Sequence, residues 1–374
     1  MKQASGGILF RTGSQAELEA ADAAFRALLA AHGLAAEVES GPADRAGRPA
    51  RRFWLKAATA EAWAPGGDTL QLGERLGLDG IARPQDLEKE ILLALLLGPV
   101  AFEYPSYAEL LAAIHMRRYI VEAARRTELD FHTTEAERPA DYWRYVEDCG
   151  FVILPGKPLI EALRLATQPE RSGRRYAFSC YRATEYVILL GIAEELAASN
   201  PELLARLQRQ WEQRPIMSGR FHDVFLREYG TMEDPLPMKY YVPGDRLWFR
   251  NPDEASSDVV GFEGSWVFYL GGGLFTNFWR HGKPFTLVAK CLEIYHWRHG
   301  AYRDAAGELQ MDEAKVEAHV QATLRDPAET ARILERMLRY RDPKGVYAEG
   351  GCIDTSREYP RWVCPGTADM VLPE

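Results

Sequence analysis

The hydrophobic pattern at the start of the chain predicts a small α/β unit. Residues 8–10, 36–38 and 53–55 are short runs typical of strands. Between the first two runs, Ser14 opens a helical pattern through Ala31 whose apolar side chains fall on one face. None of these residues suggests chemistry, so we expect the unit to serve folding or docking.

A mainly helical region follows. Gly98 and Pro99 end one helix, and Ser106 is placed to cap the next one, because Gly-Pro pairs stop helices and serine is a favoured N-cap. The pattern predicts helices over residues 88–97, 107–126, 158–166 and 203–213, a helix that begins at Cys180, and a short strand over residues 150–155.

The second half of the chain predicts paired strands and then more helices. Strands are predicted over residues 246–249, 265–270 and 274–278, helices over residues 287–296 and 311–341, and a loop-rich end from residue 342. Three glycines at 271–273 form the turn of a hairpin, and Asp326 and Pro327 break the last helix. A helix bearing Cys180 followed by an antiparallel sheet is the arrangement of papain-like cysteine enzymes, so the predicted fold class is α+β.

Charge and composition narrow the range of partners. The 374 residues carry a formal net charge of −9, with a pI of about 5.6, which argues against nucleic acid or an anionic membrane as the main partner. The N-terminus shows no apolar signal-peptide region, and the longest apolar run, residues 91–97, is too short to cross a bilayer. We therefore predict a cytoplasmic protein.

The cysteines favour a reducing compartment. The five are Cys149, Cys180, Cys291, Cys352 and Cys364. They are sparse, odd in number and without CxxC spacing, which argues against a disulfide scaffold or a zinc site.

Cys180 is the strongest candidate for chemistry. Ser179 is a favoured N-cap, so Cys180 is predicted to lie in the first turn of a long apolar helix. Backbone N–H groups and the helix dipole favour an anion there, which is expected to lower the thiol pKa and produce a nucleophile. The alternative is a buried structural cysteine.

Several ordered sequence blocks resemble a known family. The blocks cover residues 99–110, 120–124, 142–144, 176–180 (Tyr-Ala-Phe-Ser-Cys), 244–252 (Gly-Asp-Arg-Leu-Trp-Phe-Arg-Asn-Pro) and 264–271 (Gly-Ser-Trp-Val-Phe-Tyr-Leu-Gly). In order and spacing they are similar to the spore-coat-type bacterial protein-glutamine γ-glutamyltransferases, the small transglutaminases with an NlpC/P60-like core. The resemblance implies a core over residues 84–305, an N-terminal extension over 1–83 and a helical, loop-rich C-terminal extension over 306–374.

The resemblance also implies an activity. A Cys180 thiolate would attack a glutamine carboxamide, release ammonia and form a thioester, which a lysine amine would resolve as an isopeptide bond. The expected enzyme is a transglutaminase-like acyltransferase, and the expected partners are proteins or peptides that carry Gln and Lys. Two alternatives stay open: a cysteine hydrolase or deamidase that uses water as the acceptor, and a non-catalytic binding or structural module.

The residues expected to assist Cys180 differ from the family pattern. The family has an acidic residue before its cysteine, where this chain has Ser179, and a glutamate base on the following strand, where Ser265 stands. Glu263 shares a strand face with Ser265, so it is either a substitute base or an exposed loop acid. The family has a histidine on the second strand of the hairpin, and the matching stretch of this chain, around Asn277, has none. Asn277 either orients a base, donates a hydrogen bond to an oxyanion or belongs to a turn.

Aromatic residues suggest a substrate cleft. Most of the rings in the second half are expected in the core, but some, including Trp248, Trp266 and Phe275, could line a tunnel for extended Gln and Lys side chains, with Ser179 beside them.

Two histidines on the predicted helix after the hairpin are candidate metal ligands. His296 and His299 have the i, i+3 spacing that can hold a metal, and Cys291 lies on the same helix. No further ligand is paired with them in the sequence and no EF-hand loop is apparent, so we predict no metal and no cofactor.

Overall fold

The structure, a computed structural model, combines helices and antiparallel sheet in an α+β fold, and it describes residues 6–43, 47–132, 135–280 and 282–373. The helices are α1 Gln15–Ala31, α2 Ala57–Trp63, α3 Leu72–Leu76, α4 Pro84–Leu96, α5 Tyr107–Arg126, α6 Leu159–Thr167, α7 Pro169–Ser172, α8 Cys180–Ser199, α9 Pro201–Gln213, α10 Gly219–Phe225, α11 Glu254–Ser257, α12 Leu287–Gly300, α13 Glu313–Leu324 and α14 Pro327–Met337. The strands are β1 Gly7–Arg11, β2 Val38–Pro42, β3 Ala50–Leu55, β4 Ala101–Tyr104, β5 Asp130–Phe131, β6 Trp143–Val146, β7 Gly150–Ile153, β8 Ala177–Phe178, β9 Leu226–Tyr229, β10 Arg246–Arg250, β11 Gly264–Gly271, β12 Leu274–Phe275, β13 Phe285–Thr286, β14 Ala301–Arg303, β15 Leu309–Met311 and β16 Arg357–Pro360.

A four-stranded sheet organises the N-terminal region. Its strand order is β2-β3-β1-β4, and α1 packs on it through Phe25, whose ring makes edge contacts with Phe10 and Phe53. Such edge-to-face arrangements are the favoured geometry of buried aromatic rings. Because β4 pairs in parallel with β1, the strand pairing crosses the predicted boundary at residue 83.

A six-stranded sheet carries the second half of the molecule. Its order is β13-β12-β11-β10-β16-β9, and β10 and β11 form its longest pair, from Arg246 opposite Phe268 to Arg250 opposite Gly264. β16 inserts between β10 and β9. The last segment of the chain is therefore part of this sheet, and its pairing crosses the predicted boundary at residue 306.

Helices α5 and α8 form the centre of the fold. Ser106 and Ser179 cap them through side-chain oxygens that accept from the backbone N–H groups of Glu109 and Arg182. A Cβ at Gly191 of α8 would lie 2.6 Å from the Ile120 side chain of α5, so the close approach of the two helices needs glycine there. α8 also packs against β11, which places the first turn of the helix beside the sheet.

The glycine turn predicted at 271–273 closes the hairpin between β11 and β12. Gly271 has φ +82°, and a Cβ there would lie 2.8 Å from the carboxylate of Glu90. That buried carboxylate accepts from the N–H of Gly272 at 2.8 Å, while the N–H of Gly273 donates to the hydroxyl of Tyr269 at 3.1 Å. The turn is thus a structural feature anchored to α4.

Most predicted elements are present, with shifted ends. The strand expected over residues 274–278 is only Leu274–Phe275, and the helix expected over 287–296 continues to Gly300. Pro327 divides the C-terminal helix as predicted. β16 lies where the sequence predicts loop. Within the described part of the chain, we find no helix long and apolar enough to cross a membrane.

Candidate active site

Cys180 is the first residue of α8 and is half-buried. The two-residue strand β8 leads into it, and Ser179 takes the extended conformation of an N-cap, with its hydroxyl oxygen 3.3 Å from the N–H of Arg182. The thiol is therefore held at the end of a rigid helix, beside β11.

Two cavities meet at Cys180. The first, which we call the aromatic groove, has a volume of about 380 Å³ and is lined by Phe131, Ser179, Cys180, Tyr181, Trp248, Glu263 and Trp266, among others. The second, the polar cavity, has a volume of about 50 Å³ and is lined by Cys180, Ser265, Arg280, Lys290, Glu293, Glu313 and Glu317, among others. A group attached to the sulfur would therefore face an apolar surface on one side and charged groups on the other.

The environment of the thiol raises its pKa. Burial is the largest cause and raises the Cys180 pKa above its usual value, and the negative charge of Glu263 acts in the same direction. The N–H groups of Trp266 and Tyr181 and the positive charge of Lys290 lower it, but by less. The lowered pKa expected from the helix N-terminus is thus wrong, and in the free protein near neutral pH the sulfur holds its proton.

Lys290 is the charged group that the sequence analysis missed. It lies on α12, is 4% exposed, and its ammonium donates to Glu293 at 2.6 Å. The ammonium also lies 4.2 Å from the ring centroid of Phe285. The sequence does show a single lysine within an otherwise apolar turn of a predicted helix, which can indicate a functional residue. The pattern alone does not show that this turn faces Cys180.

Arg246 contacts the rings of Tyr181 and Trp266, the two residues whose N–H groups lower the pKa of the Cys180 thiol. Its guanidinium carbon lies 4.5 Å from the ring centroid of Tyr181 and 4.3 Å from that of Trp266. Arg246 is 1% exposed, and its Nε lies 3.2 Å from a carboxylate oxygen of Glu358 on β16. The C-terminal strand therefore supplies the counter-charge behind the site.

Most of the predicted site residues lie together. Ser179, Glu263, Trp248 and Trp266 line the aromatic groove with Cys180, and Trp248 and Trp266 stack with their centroids 6.1 Å apart. Ser265 is mostly buried and lines the polar cavity. Glu263 is exposed and accepts a weak bond, 3.3 Å long, from the N–H of Gly261.

Two predicted residues lie elsewhere. Phe275 is completely buried against Tyr241, Phe249 and Tyr269, in the core, and it lines neither cavity at Cys180. Asn277 lines a separate cavity beside α5, and its amide donates to the carbonyl of Lys283 at 3.0 Å, which is a contact typical of a turn. The cleft position expected for Phe275 is therefore wrong.

Comparisons with known proteins identify relatives of this chain. Residues 74–360 match the model of the protein-glutamine gamma-glutamyltransferase family. The protein-glutamine gamma-glutamyltransferase of Bacillus licheniformis is 25% identical over 187 residues, which are 46% of this chain and 68% of the relative. The enzyme of the same name from Bacillus subtilis is 25% identical over 189 residues, which are 46% of this chain and 69% of the relative.

One solved structure is also similar. The transglutaminase from Geobacillus stearothermophilus, without its C-terminal extension, aligns with 57% of this chain and 98% of its own, at 20% identity and a TM-score of 0.38. The family match itself spans well over half of the chain and includes α8, β10 and β11. This chain therefore belongs to the protein-glutamine gamma-glutamyltransferase family of transferases.

Proposed function

We propose that this chain, through a papain-like core, transfers the acyl group of a glutamine side chain to a primary amine, with Cys180 as the acyl carrier. The position of Cys180 at the meeting of the aromatic groove and the polar cavity is the observation that carries the proposal. The donor and the acceptor can then reach the same sulfur from two sides. Protein or peptide side chains of Gln and Lys are the substrates that fit this chemistry.

The first half-reaction forms a thioester. The sulfur of Cys180 attacks the carboxamide carbon, the C–N bond breaks, and the thiol proton goes with the nitrogen to give ammonia. Because the resting sulfur holds its proton, a base within reach would assist the attack by carrying this proton to the leaving nitrogen. Glu263 is our candidate for this base, since it lines the groove with Cys180 and its charge acts on the sulfur.

The second half-reaction resolves the thioester. A primary amine attacks the acyl carbon, the C–S bond breaks, and one amine proton returns to the sulfur, leaving an amide. In the polar cavity Glu293 and Glu317 already pair with basic side chains of the same cavity, so Glu313 is the carboxylate that suits an incoming amine. Trp248 and Trp266 in the groove suit the apolar stem of a glutamine. Water in place of the amine would give deamidation.

A two-product assay tests the proposal. We expect the wild-type protein to attach a fluorescent primary amine to a glutamine-rich test protein and to release one ammonia for each amine attached. Ammonia should be measured in the same samples with the amine omitted, because release that does not depend on the amine measures hydrolysis.

The outcomes of this assay separate the alternatives. If ammonia is released but no amine is attached at any amine concentration, the protein is a deamidase and the proposal of a transferase is wrong. If the protein forms neither product and Cys180 alkylates no faster than a buried thiol, catalysis at this site is contradicted. The remaining hypothesis is then a binding or structural module.

The charges at Cys180 predict opposite effects for two substitutions. Lys290→Met removes a positive charge that lowers the thiol pKa, so alkylation of Cys180 by iodoacetamide near pH 8 should slow roughly 3- to 10-fold. Glu263→Gln removes a negative charge that raises this pKa, so alkylation should become faster, although amine attachment should fall if Glu263 is the base. Peptide mapping of the alkylated cysteine gives the rate.

Arg11→Gln provides the matched control, because Arg11 pairs with Glu103 in the N-terminal sheet and its loss should leave the alkylation rate unchanged. Equal rates in Lys290→Met and wild type would show that Lys290 does not act on the sulfur.

A further inference from the structure

Three histidines come together on the side of α12 and α13. His296 and His299 lie one turn apart on α12, and His319 lies on α13. Each offers a ring nitrogen within 4.8 Å of the others. The sequence analysis considered the first two and found no third ligand, because His319 is 20 residues away from His299 and only the packing of the two helices brings it near.

The ring nitrogens face one another. Nδ1 of His296 and Nδ1 of His299 are 2.9 Å apart. Two protonated nitrogens cannot face each other at this distance, so at least one of them directs a lone pair into the space between the rings. The ring of His319 lies over both, with centroids 5.4 Å from His296 and 4.7 Å from His299. A metal ligand set requires lone pairs that converge. His296 and His299 already direct nitrogens toward each other, and His319 places a ring nitrogen within 4.8 Å of theirs.

The deepest histidine has the outer contact that metal-binding histidines need. His296 is 4% exposed, and its other ring nitrogen, Nε2, lies 2.8 Å from the hydroxyl oxygen of Thr323. When Nε2–H donates to that oxygen, Nδ1 is left free to bind a metal. Thr323 and His319 are four residues apart on α13 and so lie on one face of this helix. That face supplies the ring of His319 and the hydroxyl group that contacts His296.

The guanidinium of Arg298 has its partners outside the three rings. Arg298 lies between His296 and His299 in sequence, but its Nε donates to the carbonyl of Tyr295 at 2.8 Å and its guanidinium lies 3.7 Å from Asp253. Among the residues that the structure describes, no carboxylate or thiol joins the three rings.

We propose that His296, His299 and His319 bind one divalent transition-metal ion of the zinc class, which ties α12 to α13. A tetrahedral zinc site holds its ligand nitrogens about 3.3 Å apart. A turn of the His319 ring out of its stack on His296, with smaller rotations of the other two side chains, would complete three corners, and water would take the fourth. Imidazole nitrogens suit Zn²⁺, Co²⁺, Ni²⁺ and Cu²⁺ and do not suit Mg²⁺. The site is independent of the proposed activity, although both helices also line the polar cavity.

Cobalt provides the direct test. Untagged protein treated with a chelator and dialysed should bind one Co²⁺ per chain, detected by visible absorption bands of a tetrahedral ion, and Zn²⁺ should displace it. The double variant His299→Gln/His319→Gln should weaken Co²⁺ binding at least about 100-fold, because two of three ligands are gone. Both positions are half-buried, which favours retention of the fold.

Thermal unfolding supplies a second readout. Zn²⁺ at 100 times its dissociation constant should raise the wild-type Tm by about 3 °C, and Mg²⁺ should not. His32→Gln, which changes a histidine at the end of α1, should behave as wild type. Absence of the cobalt bands in wild type, or equal binding by the double variant and wild type, would overturn the site.

Discussion

Replacing Cys180 with alanine should abolish amine attachment, with a loss of at least about 1000-fold in rate. No thioester can form without the sulfur, and the remaining groups supply only binding and positioning. The substitution removes one atom at a half-buried position that lines two cavities, so the fold should be retained. Rates should be measured with saturating amine and compared with the melting temperature of each variant.

Cys149→Ala is the matched control for this experiment. Cys149 is also a half-buried free cysteine, but it lies in the turn between β6 and β7 and lines neither cavity. Its variant should keep wild-type activity. Amine attachment that persists in Cys180→Ala would show that another group carries the acyl intermediate, and the assignment of the site would then be wrong.

Helix starts and long apolar runs were predictable from sequence. Ser106 and Ser179 each precede a helix whose turns are mostly apolar, and the structure caps both helices at those serines. This signal is local, since the cap and the first turn involve neighbouring residues. For the same reason the sequence could place Cys180 at a helix start, although it could not show that burial raises the pKa of the thiol by more than the N–H groups of Trp266 and Tyr181 lower it.

Contacts between distant segments were not predictable. β16 is the short, largely polar segment Arg357–Pro360, and it is a strand only because β9 and β10 pair with it on either side. Lys290 reaches the cavity of Cys180 through the packing of α12, which no helical pattern specifies. Phe275 pairs with Tyr269 and is fully buried, and the density of aromatic residues that suggested a cleft does not distinguish a core ring from a ring that lines a cavity.

Removing one partner of the buried ion pair of Arg117 and Asp245 should destabilise the fold more than removing one partner of a partly exposed ion pair. Arg117 of α5 is 1% exposed and Asp245, just before β10, is fully buried, and their nearest nitrogen and oxygen are 2.7 Å apart. The same carboxylate accepts from the Tyr229 hydroxyl and from the N–H of Val242 at 2.8 Å. It therefore joins α5, β9 and the start of β10.

Asp245→Asn should lower the free energy of unfolding by about 3–5 kcal/mol, because it leaves the guanidinium of Arg117 buried without a counter-charge. Glu122→Gln breaks a half-buried pair with Arg118 on the same helix, and because Arg118 keeps Glu88 as a partner the change should cost less than about 1 kcal/mol. Urea unfolding of both variants measures the difference. The double variant Arg117→Met/Asp245→Leu should recover part of the loss, since no unpaired charge remains. Equal costs for Asp245→Asn and Glu122→Gln would show that Arg117 finds another partner or water, and that the pair does not hold the sheet to α5.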